Sequence, residues 1–223
     1  YIQGDLQNYY QKVDTWQFPD FSDKCPICGG KDCATFHGYY FRTAICPQSG
    51  FSTTDLPISR YLCHDKGNVR VCDHVTFSLL PYMLVPYHQL SLNFMIKAVW
   101  LKFSRQLSLS KAMDAIEMEL SHLEDVADFI NISTLLFWQQ MILMALELFL
   151  LSAPNIVPQI NREQLHGGDA VEKFIEILLT YQSRNDGTPI RGPDAFALDF
   201  YQQSGGVEKN AHFLFGRASQ HRE

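Results

Sequence analysis

The stretch Cys25-Pro-Ile-Cys28-Gly-Gly30 is the part of the chain whose reading decides the fold. Two thiolates two residues apart can share one tetrahedral Zn²⁺, and the glycines relieve the backbone where its N–H groups turn toward sulfur. Two further ligands must then come from later in the chain. Cys63 ends the run Arg60-Tyr-Leu-Cys63, and Cys72 or His74 follows in Val71-Cys-Asp-His-Val-Thr76. The interval between Cys63 and Cys72 is wider than the usual knuckle spacing, which reads as an insertion, His64–Val71. Cys33 and Cys46 have no partner at knuckle spacing and read as buried free thiols. The expectation is one structural Zn²⁺ per chain on Cys25, Cys28, Cys63 and Cys72, with His74 as the substitute fourth ligand. A redox Cys-x2-Cys of thioredoxin type is disfavoured, because no βαβ pattern follows it.

Around this knuckle the sequence is short-ranged and turn-rich. Alternation at Tyr39, Phe41, Thr43 and Ile45 predicts a strand, and Pro47–Gly50 a loop after it. Ile58–Cys63 and Val69–Cys72 read as further strands, with Pro81 and Pro86 punctuating the exit. Residues 1–24 read as an arm whose aromatic residues dock on the body.

From His88 the period becomes helical. Leu92, Met95, Ile96, Val99, Trp100 and Phe103 share one face. Ser108 or Ser110 is placed to cap a helix through Ala112–Leu123, followed by a short helix around Leu123–Ile130 that stops at Asn131. Ser133 is read as the cap of a helix from Thr134 toward Leu151, apolar at nearly every position. Asp169 caps an amphipathic helix to Tyr181, and Ala195–Gln203 reads as a short helix. The class is therefore α+β: a small zinc ribbon with short antiparallel strands, then a mainly α-helical bundle. The segments expected are an arm (1–24), the zinc ribbon (25–87), a helical domain (88–160) and a C-terminal helix and tail (161–223).

Composition sets the outer limits. Hydrophobic residues are 46% and charged residues 19% of 223, which excludes wholesale disorder. Six cysteines are too few for a disulfide scaffold, and residues 1–20 lack an apolar signal segment, so a cytoplasmic setting is expected. The net charge of −6 conceals an asymmetry, with 11 basic and 8 acidic residues up to Lys111, then 7 and 16 beyond it. Nucleic acid, if bound, belongs to the first half, because an acidic surface repels phosphate. The contacts would come from Arg42, Arg60, Lys66, Arg70, Lys97 and Lys102. Gln139, Gln140 and Glu147 interrupt the apolar run 132–151, which points to a buried central helix or a protein interface rather than a membrane span.

Cys25-Pro-Ile-Cys28-Gly, His37-Gly-Tyr-Tyr-Phe-Arg42, Arg60-Tyr-Leu-Cys63 and Thr76-Phe-Ser-Leu-Leu-Pro81 together resemble the zinc-binding N-terminal region of bacterial insertion-sequence transposases. In that family a zinc ribbon precedes a helix-turn-helix, and the two recognise transposon-end DNA. The stretch from Leu107-Ser-Leu-Ser-Lys-Ala112 to Ile132-Ser-Thr-Leu-Leu-Phe-Trp138 resembles the helix-turn-helix, with Ser133–Trp138 in the recognition position. Two departures bear on function. Residues 132–151 contain no Arg or Lys to reach bases or phosphates, and too little chain follows Leu151 for a catalytic domain.

No catalytic constellation emerges. His-Glu-x2-His, Gly-x-Ser-x-Gly and the phosphate-loop frames are absent. Tyr39, Tyr40 and Phe41 beside Arg42 suit base stacking, although such a strand more often packs its own ribbon. The expected function is a non-catalytic, transposase-like protein that binds DNA or docks in a nucleoprotein complex. The alternative is a protein-interaction subunit whose DNA face has been lost.

Overall fold

A computed structural model describes residues 6–15, 20–64, 75–81, 83–122, 130–152, 169–183 and 192–205. The expected strand Val69–Cys72 and the short helix around Leu123–Ile130 fall outside the described residues. The chain divides into two compact units, Tyr1–Ser91 and Leu92–Glu223.

The first unit is built on a long hairpin. Strand β1 (Ala34–Cys46) pairs antiparallel with β2 (Phe51–Cys63), and β2 pairs antiparallel with the short β3 (Val75–Leu79). One 3-10 turn, Pro47–Ser49, makes the bend between β1 and β2, and Gly50 closes it. The register of β1 slips at His37, where Phe36 pairs Tyr61 but Gly38 already pairs Arg60. Gly38 sits at this bulge with φ 109°, a backbone conformation that L side chains rarely adopt. The extra residue reverses the alternation, so Phe36 joins Tyr39 on one face, their rings 5.3 Å apart.

The two faces of β2 carry different clusters, as a period of two requires. Leu56 and Ile58 pack with Leu6, Tyr9 and Val13, contributed by helix α1 (Leu6–Lys12) and the turn after it. Tyr61 and Cys63 face the other way, where Tyr61 stacks on Phe77 at 5.3 Å and meets Phe21 edge-on at 5.0 Å. Pro57 stands opposite Phe41 on β1, at a level that β3 does not reach, so its missing N–H costs the sheet nothing there. Its carbonyl accepts a 2.6 Å hydrogen bond from the buried Tyr9 hydroxyl.

The second unit is helical. Its elements are α2 (Leu92–Ser104), α3 (Leu109–Leu120), α4 (Ile132–Ser152), α5 (Ala170–Gln182) and α6 (Gly192–Gly205). Ser108 caps α3, and Asp169 Oδ1 caps α5 by accepting from the Val171 and Glu172 N–H groups. The cap of α4 is Asn131 rather than Ser133: Asn131 Oδ1 accepts from the Thr134 N–H at 2.9 Å. A side chain that reads as a stop for the preceding segment thus starts the next helix.

Helices α2 and α4 share the centre of this unit, each packing against all the other described helices of the unit. Helix α2 packs against α3, α4, α5 and α6, and buries Phe94, Ala98 and Leu101 besides the face its periodicity marks. Helix α4 is two-sided. Leu135, Trp138, Ile142 and Leu146 are buried, while Ile132, Phe137 and Met144 are exposed. Apolar composition records what a helix tolerates, and packing decides which of its residues are covered. Trp138 meets Phe94 edge-on at 6.4 Å, and Phe174, Phe196, Phe200 and Tyr181 form a second ring cluster among α5 and α6. The Tyr181 hydroxyl donates to Asp199 Oδ2 at 2.9 Å, which satisfies a buried carboxylate. Among the described residues no helix is long and apolar enough to cross a membrane.

Two substitutions test these cores by denaturant unfolding. Tyr9→Phe leaves the Pro57 carbonyl without its buried donor and is expected to cost about 1–3 kcal/mol. Leu146→Glu places an unpaired charge at a fully buried site and is expected to cost several kcal/mol or prevent folding.

Candidate metal centre

The knuckle forms because its backbone closes on itself. The Cys25 N–H donates to the Gly30 carbonyl and the Gly29 N–H to the Cys25 carbonyl, both at 2.8 Å. Gly29 takes φ 72° at the end of this turn, where a Cβ would be strained. The Gly30 N–H then points at Cys28 Sγ, 3.4 Å away. Sheet pairing brings in the distant sulfur: Ala34 stands opposite Cys63, and the His64 N–H donates to the Cys33 carbonyl at 2.9 Å.

Cys25, Cys28, Cys33 and Cys63 consequently converge, with all four Sγ atoms within 4.8 Å of one another. Individual separations are 3.2 Å (Cys28–Cys33), 3.3 Å (Cys25–Cys63), 3.6 Å (Cys28–Cys63) and 4.0 Å (Cys33–Cys63). Four sulfurs about 2.3 Å from one ion in a tetrahedron stand about 3.8 Å apart, so the quartet has the dimensions of a single-ion cage. Cys25, Cys33 and Cys63 are buried and Cys28 is partly exposed; Phe77 and Ala34 pack against them.

Three of the expected ligands, Cys25, Cys28 and Cys63, are therefore together. The expected fourth, Cys72, and its substitute His74 lie outside the described residues. Cys33, read from sequence as a free thiol, stands in the cluster instead. Its signal was present in the sequence: four residues separate it from Cys28, within the ordinary knuckle range, and a strand paired with Cys63 begins directly after it. Cys46, at the opposite end of β1, is a free thiol outside the cluster.

The thiols differ in their electrostatics. Burial works to raise the Cys28 pKa, but hydrogen bonds from the Gly30 N–H and from Cys33 and Cys25 outweigh it and hold the thiol below its ordinary value. Burial, then the bonding and charge of Cys28 and Cys25, push Cys33 up to about 12. Neighbouring sulfurs that compete for one proton become thiolates together only around a positive ion. A disulfide sulfur is no thiolate ligand, so a metal-holding form has all four cysteines reduced.

Four of the six expected DNA contacts, Arg42, Arg60, Lys97 and Lys102, lie among the described residues. Arg42 Nη2 donates to the Val85 carbonyl at 3.2 Å and also to the His88 carbonyl, and burial holds its pKa below the ordinary value. It straps the segment after β3 to the sheet. Arg60 is exposed, with one guanidinium nitrogen 2.9 Å from Thr76 Oγ1. Strand alternation places Tyr40 and Arg42 opposite to Tyr39 and Phe41, which separates the cation from the two rings meant to stack beside it. In the helical unit Lys97 pairs with Glu119 at 2.8 Å, and Lys102 Nζ bonds Gln139 Oε1 at 2.6 Å while lying over the Phe103 ring. Lys66 and Arg70 lie outside the described residues. Trp138, in the position that the resemblance assigns to recognition, is 1% exposed.

No protein-family model, curated protein or solved structure matches the chain.

Metal analysis of reduced protein is expected to find one divalent ion per chain, lost in Cys25→Ser. The ion should also leave as the pH falls, because protons compete for the thiolates. Cys33→Ser and Cys72→Ser separate the two fourth-ligand assignments: the variant that loses the ion identifies the ligand.

Proposed function

We propose that the protein is a non-catalytic, zinc-tied binding protein of the transposase-like kind, whose first unit engages DNA within a nucleoprotein complex. The observation that carries this reading is the four-sulfur cluster fastening the knuckle to the far end of β2. An all-sulfur donor set with three buried members suits Zn²⁺ in a closed site and leaves no open position for substrate or water. When bound, the ion cross-links residues 25–33 to Cys63 and supplies folding energy to a small sheet. The ribbon motifs around it are those that resemble the transposase family. Arg60, with Lys66 and Arg70 soon after it in the chain, is the basic group we assign to the phosphate backbone. The helix-turn-helix likeness contributes less, since Trp138 is buried and no basic residue lies on α4.

A protein-interaction subunit is the second reading, and one observation favours it. Arg42, Lys97 and Lys102 all bond within the chain, while Phe36, Tyr39 and Phe41 stand exposed along β1, Phe41 at 67%. Exposed aromatics on a sheet suit a protein partner as well as a base.

Mobility shift with random-sequence duplex at about 50 and about 200 mM salt decides between them. DNA engagement gives a shift at the lower salt that weakens steeply at the higher, and Arg60→Glu with Arg70→Glu reduces it alike on all sequences. No shift at either salt overturns the DNA reading in favour of the interaction subunit.

A further inference from the structure

The four sulfurs are unequally exposed, and this inequality has a chemical consequence. Cys25 and Cys33 are each 1% exposed and Cys63 is fully buried, so Cys28 is the sulfur that a solute reaches first. It also lies 3.2 Å from Cys33 Sγ, closer than the 3.6 Å to Cys63. The backbone between them is the short turn Gly29–Asp32, with positive φ at Gly29 and Asp32, so both cysteines belong to one local loop. We propose that Cys28 is an oxidation site for small hydroperoxides, that Cys33 resolves it, and that formation of the Cys28–Cys33 disulfide expels the metal. This rests on the zinc reading given above.

The chemistry balances with a hydroperoxide as the oxidant. The Cys28 thiolate attacks one peroxide oxygen, the O–O bond breaks, and an alkoxide or hydroxide leaves with the electron pair. Cys28 is then a sulfenic acid, which no longer serves as a thiolate ligand. The Cys33 thiolate attacks the Cys28 sulfur, forming S–S and breaking S–O, and the hydroxide that leaves is protonated by the buffer. Two electrons have passed from two sulfurs to the peroxide. The ion keeps at most two of its four sulfur ligands in the described cluster. Because the metal supplies folding energy to this unit, its release loosens the sheet that the ion fastened. Thiol reductant reverses the disulfide and restores the site.

The test uses the full chain, reduced and loaded with zinc in the absence of oxygen. Metal content measured before any oxidant tests the zinc reading by itself, and a chain that holds no zinc at that stage overturns that reading and the expulsion with it. Equimolar hydrogen peroxide is then added with a colorimetric zinc chelator, and peptides are mapped by mass spectrometry after blocking free thiols. The expected result is loss of the bound zinc together with a Cys28–Cys33 disulfide, both reversed by dithiothreitol and added zinc. In Cys33→Ser, a sulfenic acid trapped by dimedone should accumulate at Cys28, a readout independent of whether that variant holds metal. Zinc retained through equimolar peroxide, or first oxidation mapped to Cys25 or Cys63, overturns the proposal while leaving the measured zinc content intact.

Discussion

Everything in the first unit depends on the pairing at the open end of the β1–β2 hairpin. Ala34 opposite Cys63, fastened by the His64-to-Cys33 hydrogen bond, is the contact that makes residues far apart in sequence neighbours. Without it the segment 25–33 holds three cysteines and lacks the fourth. With it, four sulfurs gather at the end of the sheet that lacks a turn, close enough together to hold one metal ion. The aromatic trio Phe21, Tyr61 and Phe77 lies on that same side of the sheet, so ring packing and the cysteine cluster share one end.

Much of this was legible in the residues. Cys-x2-Cys-Gly-Gly announced the knuckle, period-two alternation announced β1, and Ser108 and Asp169 announced two helix starts because each offers an acceptor where N–H groups lack partners. Cys33 was misread for a physical reason. Ligand membership depends on which strand end faces which, and a spacing rule that looks for a second matched pair does not see a third cysteine folded in by a strand. The internal bonding of Arg42 was not legible, because a cation in a strand looks exposed until its neighbours are known, and here they include the Thr43, Val85 and His88 carbonyls. The bulge at His37 had only Gly38 as its marker.

The helical unit shows the limit of reading burial from hydrophobicity. Residues 132–151 are the more continuously apolar run, yet α2 and α4 share the centre, each touching all the other described helices of the unit. Small and medium side chains such as Ala98 and Val99 let neighbours approach α2 from several sides. Helix α4 meets its neighbours along Leu135, Trp138, Ile142 and Leu146, a stripe of helical spacing, and leaves Phe137 and Met144 outside. Periodicity identified both helices, but the order in which they surround one another is a property of the packed set.

The hairpin has two ends of different character, and that difference bears on how the chain tolerates change in length. At one end the sulfurs and the register around Cys63 admit no insertion without breaking the quartet. At the other, a single 3-10 turn at Pro47–Ser49 is all that joins the strands, and only Gly50 there needs a special backbone conformation. A matched pair of residues added to each strand at that end keeps every existing side chain on its own face. An odd residue would exchange faces across the sheet, and the pairing already carries register shifts after Phe36 and after Arg42. Length can therefore drift at the turn in steps of two, while the sulfur end holds the phase of the whole sheet.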